Sequence, residues 1–244
     1  AVLAILAARQ RHPGEKPLSA GRAWGSAAFL FLYAVPFSFA FVNLSTGTGA
    51  LLLFGGVQVT MMMGAVWRGE RPGLLQWVGL SIAFGGLVYL VSPGISAPAP
   101  LAAVLMLLAG FAWGTYSLRG RGVANPLAAT AGNFIRTMPM AAALAVVVFP
   151  FLRIHLAGAI WAVISGAVTS GLGYAIWYTA LRGLSRSAAS IVQLSVPLLA
   201  ALGGVLFLSE AVTLRLVIAG CLVLGGIALA LTVRTTRAAI SANA

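Results

Sequence analysis

The chain has 244 residues, 61% of them hydrophobic and 7% charged, and its mean hydropathy is +1.02. Soluble domains run at about 45–50% apolar and about 25% charged, so this composition excludes a water-soluble globular protein and points to the membrane. The formal charge of +12 does not mark a nucleic-acid binder, because the 15 basic residues stand singly between apolar runs, with no basic stripe or aromatic-basic surface element.

In chain order, residues 1–8, "AVLAILAA", read as the last two turns of a helix. Charge follows this stretch in "AARQRHPGEK", whereas a secretory signal carries its charge ahead of the apolar run. The expectation is therefore that an earlier part of the chain is missing. Apolar runs then follow at about 23–42, 48–67, 74–92, 100–118, 127–149, 157–181, 187–208 and 214–233. Each has the roughly 20 residues that a helix needs to cross a hydrocarbon core about 30 Å thick. Only helices or closed barrels satisfy every backbone polar group in lipid, and the runs are continuous rather than alternating, so they predict helices. Pro36, Pro139 and Pro197 fall inside spans, where they mark kinks. Cys221, the only cysteine, lies in an apolar run and reads as a buried, inert thiol without a disulfide. The tail from Arg234 to Ala244 is polar and reads as a disordered cytoplasmic end.

A shift of 140 residues superimposes the chain on itself. Ala40, Leu44, Ser45, Gly64, Glu70, Leu74, Gly85 and Gly86 fall on Ala180, Leu184, Ser185, Gly204, Glu210, Leu214, Gly225 and Gly226. Two of the three acidic residues are equivalent under the shift, each opening a loop about fifteen residues ahead of a Gly-Gly pair. The same shift lays "FVNLSTGTGA" (41–50) on "LRGLSRSAAS" (181–190) and the opening stub on residues 141–148. The repeat unit is thus five helices, with the first unit lacking one helix and most of a second. Residues 1–92 form the incomplete first repeat, 100–233 the second, and 234–244 the tail. An odd number of spans per unit inverts the second copy in the bilayer.

Charge sets the orientation. Alternate loops hold Arg9, Arg11, Lys16 and Arg22; Arg68 and Arg71; Arg119 and Arg121; Arg182 and Arg186; Arg234 and Arg237. The opposite side holds only Arg153 and Arg215, and its loops at 43–47 and 93–99 hold none. Short cytoplasmic loops collect Lys and Arg, so the first side, with the C-terminus, reads as cytoplasmic and the protein as multi-pass in a cell inner (plasma) membrane.

Inverted repeats provide two equivalent packings that expose a midplane site to either side. The path from Glu70 to Gly85-Gly86, its echo from Glu210 to Gly225-Gly226, and "FAWGTYS" (111–117) together resemble the drug/metabolite transporter superfamily, in its EamA-like branch. The resemblance implies an all-α polytopic fold of ten helices in two inverted five-helix repeats, here without the first helix and most of the second. It implies a carrier of a small organic metabolite, such as an amino acid or a similar amphipathic solute, exported or facilitated by alternating access. Carriers of the same fold for nucleotide sugars or cationic drugs are the alternative, followed by a channel or scaffolding membrane protein. An enzyme fits poorly. The chain has no Asp, its histidines His12 and His155 lie in loops, and "ISGAVTSGLG" (164–173) has no G-x-S-x-G elbow. No catalytic residue, metal or cofactor is expected. The expected partners are a small-molecule solute and the lipid bilayer, not nucleic acid, and a homo-oligomer is compatible with the pattern.

Candidate solute contacts are the polar and aromatic residues at mid-depth, on the spans that the resemblance places around a central cavity. They are Tyr33, Gln58, Trp113, Tyr116, Tyr174 and Gln193, with Pro36 and Pro197 nearby. Arg136 lies about ten residues into its span, as a gating, solute-binding or structural charge. Glu70 and Glu210 stand at helix–loop junctions on opposite faces, as gate charges or as helix caps. Trp24, Trp67, Trp77 and Trp161 sit at span ends and read as interfacial anchors. The Met61-Met62-Met63 run reads as adaptable packing, and the Gly110/Gly114 spacing as a close helix contact.

Overall fold

The computed structural model describes residues 20–44, 46–92, 99–121, 123, 125–151, 155–208, 212–232 and 236–237. The helices are α1 (Ala20–Phe41), α2 (Thr46–Trp67), α3 (Leu74–Val91), α4 (Pro100–Gly120) and α5 (Pro126–Val148). They continue with α6 (Leu156–Ile164), a π-helical stretch (Ser165–Leu172), α7 (Gly173–Ala180), α8 (Arg186–Val192), α9 (Ser195–Leu208) and α10 (Leu214–Leu231). Among the described residues five helices are long and apolar enough to cross a membrane, and two apolar stretches are shorter. Large apolar side chains are exposed along them, Val59, Leu101, Val146 and Leu206 among others, as lipid contact requires. Cys221 is exposed on α10 rather than buried, because a lipid-facing apolar run hides its residues from water and not from the surface of the fold.

The helices repeat with the 140-residue period: α2 and α8 start at 46 and 186, α3 and α10 at 74 and 214. The copies differ in continuity. Where α2 runs unbroken through Val57, the second copy carries Pro197 and stops at Gln193–Leu194 before resuming as α9. Proline has no N–H for the carbonyl four residues back, and its ring crowds that carbonyl. The carbonyl in question belongs to Gln193, and it accepts from the Val196 N–H at 3.1 Å, one residue short of the helical partner.

The chain forms two compact units, each drawing on both halves of the sequence. One comprises Ala1–Ala34 with Tyr116–Gly183, the other Val35–Thr115 with Leu184–Ala244. In the first, Arg119 at the end of α4 donates to the Arg22 carbonyl at 3.0 Å and to Ser26 Oγ at 3.2 Å, and it lies over the Phe29 ring. In the second, α3 packs along its repeat mate α10. Helices in lipid gain little from apolar burial and associate by close backbone approach, which requires small residues. A Cβ on Gly226 would stand 2.6 Å from the Gly79 carbonyl oxygen, and one on Gly86 2.8 Å from Leu222 Cβ. Of each Gly-Gly pair, Gly86 and Gly226 are in this contact, while Gly85 and Gly225 face open space. Helix α4 meets α2 in the same way, with Gly110 against the Leu53 carbonyl and Gly114 against Thr60.

Candidate functional site

The six candidate solute contacts fall into two clusters, one in each unit. In the first unit, Tyr33 of α1, Tyr116 of α4 and Tyr174 of α7 are gathered with Asn133 and Phe134 of α5. Asn133 Nδ2 donates to the Tyr116 hydroxyl at 3.1 Å. The Tyr174 ring stacks on Phe134 at 5.5 Å and meets Tyr116 edge-on at 6.3 Å. Tyr33 and Tyr174 share a side-chain hydrogen bond. Tyr116 is 1% and Asn133 5% exposed, yet Asn133 Oδ1 has no partner among the described residues. The approach of α7 to α5 adjoins the π-helical stretch "SGAVTSGL", whose widened turns shift the register of the residues that follow.

Arg136 lies one turn beyond Asn133 on α5, its guanidinium folded back over Gly132, where a Cβ would meet Nη1 at 2.7 Å. It is half-buried, and no acidic side chain pairs with it among the described residues. Snorkelling toward an interface is the structural use of such a residue, and binding an anionic group is the functional one.

In the second unit, Gln58 of α2, Trp113 of α4 and Gln193 at the break between α8 and α9 converge. Trp113 Nε1 donates to Gln193 Oε1 at 2.5 Å, and Gln193 Nε2 donates to Met61 Sδ at 2.8 Å. Ser190 Oγ donates to Gln58 Oε1. Gln58 Nε2 is buried without a partner among the described residues. Three polar residues of this segment, Ser187, Ser190 and Gln193, recur every third position: Ser190 and Gln193 reach Gln58 and Met61 of α2, and Ser187 reaches Glu70 just beyond its end. That spacing was readable in the sequence. Ser190 does not stand out there, because a lone small hydroxyl in an apolar run is a weak signal, and Met61 reads as adaptable packing, whereas its sulfur accepts from Gln193. Asn133 escaped notice although an amide in an apolar run is itself a signal.

The same set of contacts begins at Glu70. After Trp67 the chain turns through Gly69, whose φ of +78° lies in the left-handed region that favours glycine. This carries Glu70 to the N-terminus of α8. Its Oε1 accepts from the Arg186 N–H and from Arg186 Nη1, both at 3.1 Å. Its Oε2 accepts from the Ser187 N–H at 3.2 Å and Ser187 Oγ at 3.1 Å. Ser185 Oγ takes the next amide, that of Ala188, at 3.0 Å. The first amides of the helix are therefore all occupied, which is what a helix N-terminus asks of its cap. Burial pushes the Glu70 carboxyl up, but the backbone amides of Arg186 and Ser187 and their side chains outweigh it and hold it below the usual range. Its repeat mate Glu210 lies outside the described residues. Trp24, Trp67, Trp77 and Trp161 are all well exposed at helix ends or flanks.

Comparison with known proteins accounts for this architecture. The EamA-like transporter family matches residues 100–232. An uncharacterized protein of Pseudomonas aeruginosa is 51% identical over 238 residues, covering 98% of this chain and 82% of the relative. An uncharacterized transporter of Archaeoglobus fulgidus is 27% identical over 209 residues, covering 80% of this chain and 71% of its own. A protein of known crystal structure superimposes with a TM-score of 0.78 at 21% identity, covering 94% of this chain and 83% of that one, which shows a shared fold. The chain belongs to the EamA-like transporter family of the drug/metabolite transporter superfamily and is a multi-pass membrane protein.

Proposed function

We propose that this protein carries a small amphipathic organic solute, an amino acid or a molecule of similar chemistry, out across a bacterial inner membrane by alternating access. The observation that supports this most directly is the polar cluster at the broken span, where Gln193 sits at the Pro197-induced interruption and bonds Trp113 and Met61. Discontinuous helices with freed polar groups are where transporters of inverted-repeat design bind their solutes. A buried amide group without a partner costs about 1–3 kcal/mol, so Gln58 Nε2, beside Gln193 and Trp113 in the second unit, gains from a solute that supplies the missing partner. Within the second unit the aromatic face of Trp113 suits the apolar part of such a solute, and within the first Tyr116 and Tyr174 offer faces of the same kind. Arg136, with no acid beside it among the described residues, favours a solute bearing an acidic group over a cationic drug. The positive-loop bias supports a cytoplasmic C-terminus. No step of this reading calls for catalysis.

The test is counterflow in proteoliposomes preloaded with a panel of amino acids and related metabolites. At equal reconstitution, Trp113→Ala and Tyr174→Ala should each slow exchange of the responding solute roughly five- to tenfold, the worth of one hydrogen bond or aromatic contact. Trp24→Ala, an exposed residue near the start of α1, should leave the rate nearly unchanged. Equal behaviour of the three variants would sink the site, and no saturable exchange for any solute would sink the carrier reading itself.

A further inference from the structure

Within the second unit a cavity of about 560 Å³ opens between α2 and α3. It is separate from the α4-facing side of α2. Its walls come from Val59, Met63, Val66 and Trp67 of α2 and from Trp77 and Phe84 of α3, with Gln58 and Ser81 the only polar contributions. Val59, Met63, Val66, Trp67 and Trp77 are exposed, so this side of the helix pair faces outward within the apolar spans. A water-borne solute would find almost no hydrogen-bonding groups there, whereas a hydrocarbon chain would find a continuous apolar wall. The two tryptophans stand at facing helix ends, at the interfacial level that indole rings prefer.

The loop that joins these ends supplies charge. It runs Arg68-Gly69-Glu70-Arg71, and both arginines are exposed. Glu70, between them, is buried and committed to Arg186 and Ser187, so it does not neutralise them. The cavity thus ends beside two cations whose acidic neighbour is engaged elsewhere. Basic residues at the membrane surface above an interhelical apolar groove are matched by an anionic lipid.

We propose that this cavity is a binding site for an anionic phospholipid, its acyl chain between α2 and α3 and its phosphate on Arg68 and Arg71. The site shares Gln58 with the solute contacts but no other residue of them, and it stands whether or not the solute reading does.

The test uses the full chain, extracted from bilayers of phosphatidylcholine and phosphatidylglycerol in equal amounts and subjected to native mass spectrometry for retained lipid. Phosphatidylglycerol should be retained over phosphatidylcholine, with about a fivefold contribution from each arginine. Arg68→Gln with Arg71→Gln should abolish the preference. Gly55→Leu should reduce retention of both lipids by filling the groove. A Cβ at Gly55 meets only Phe84 Cζ at 3.9 Å, so this variant should fold, and an unshifted thermal midpoint checks that it does. Inorganic phosphate added in excess should not displace the bound lipid. Equal retention of the two lipids by the wild type, a preference that survives loss of both arginines, retention unaffected by Gly55→Leu, or displacement by free phosphate would each overturn the proposal.

Discussion

At the scale of single residues, Glu70 shows how a rare charge in an apolar chain is used. Its partners Arg186 and Ser187 lie 116 and 117 residues away, and four hydrogen bonds join it to the start of α8. Because the folded carboxyl titrates below its ordinary value of 4.5, the folded protein prefers the charged form more strongly than the unfolded chain does. The stabilisation is therefore complete above pH 4.5 and is lost as pH falls through the depressed folded value. Thermal unfolding in detergent should show the wild-type midpoint dropping within that acid window, with Glu70→Gln less stable at neutral pH by about 1.5–3 kcal/mol, the worth of hydrogen bonds to a charged group. The variant should also lose most of the acid dependence. An acid limb unchanged in Glu70→Gln would show that another group controls it. The sequence placed Glu70 at a helix–loop junction and left open whether it is a cap or a gate charge. The bonding partner was invisible there because it comes from the far half of the chain, through a contact between loops that carry no periodicity.

At the scale of elements, the sequence was most informative about where helices begin and end. The reading of spans at 48–67 and 74–92 lies within two residues of α2 and α3. Apolar run length reports the thickness of the lipid, and lipid leaves few other solutions. Continuity was less legible, since a run of apolar residues looks the same whether the helix inside it is straight, π-widened or broken. The sequence marked Pro197 as a kink, but only the backbone shows that the helix is interrupted at Gln193, whose buried side chain bonds Trp113 and Met61. The repeat supplies the natural control, because the equivalent Val57 sits in an unbroken α2. Pro197→Val should therefore restore a continuous helix. Since proline inside a helix costs about 3 kcal/mol, the thermal midpoint should stay level or rise. Counterflow should fall several-fold if the break serves transport. Unchanged counterflow with a raised midpoint would mean that the break is only a local accommodation.

At the scale of the whole molecule, the number and placement of acidic groups bear on what drives transport. Proton- or cation-coupled carriers generally need a carboxyl in the membrane that can bind and release the coupling ion. Here Glu15, Glu70 and Glu210 all stand outside the apolar runs, and Glu70 is already bonded to Arg186 and Ser187. Among the described residues the helices from α1 to α10 contain no Asp or Glu. Unless a preceding helix brings such a carboxyl, a carrier so built is expected to follow the gradient of its solute, as a facilitator or exchanger. A zwitterionic solute would also escape the membrane potential, which exerts about 2.3 kcal/mol on each net charge per ~100 mV. In proteoliposomes, counterflow should proceed at the same rate with and without an imposed pH gradient, and the solute should equilibrate without accumulating. Uphill accumulation that follows the pH gradient and collapses on addition of an uncoupler would refute this, and would point to a proton-binding group other than Glu15, Glu70 and Glu210.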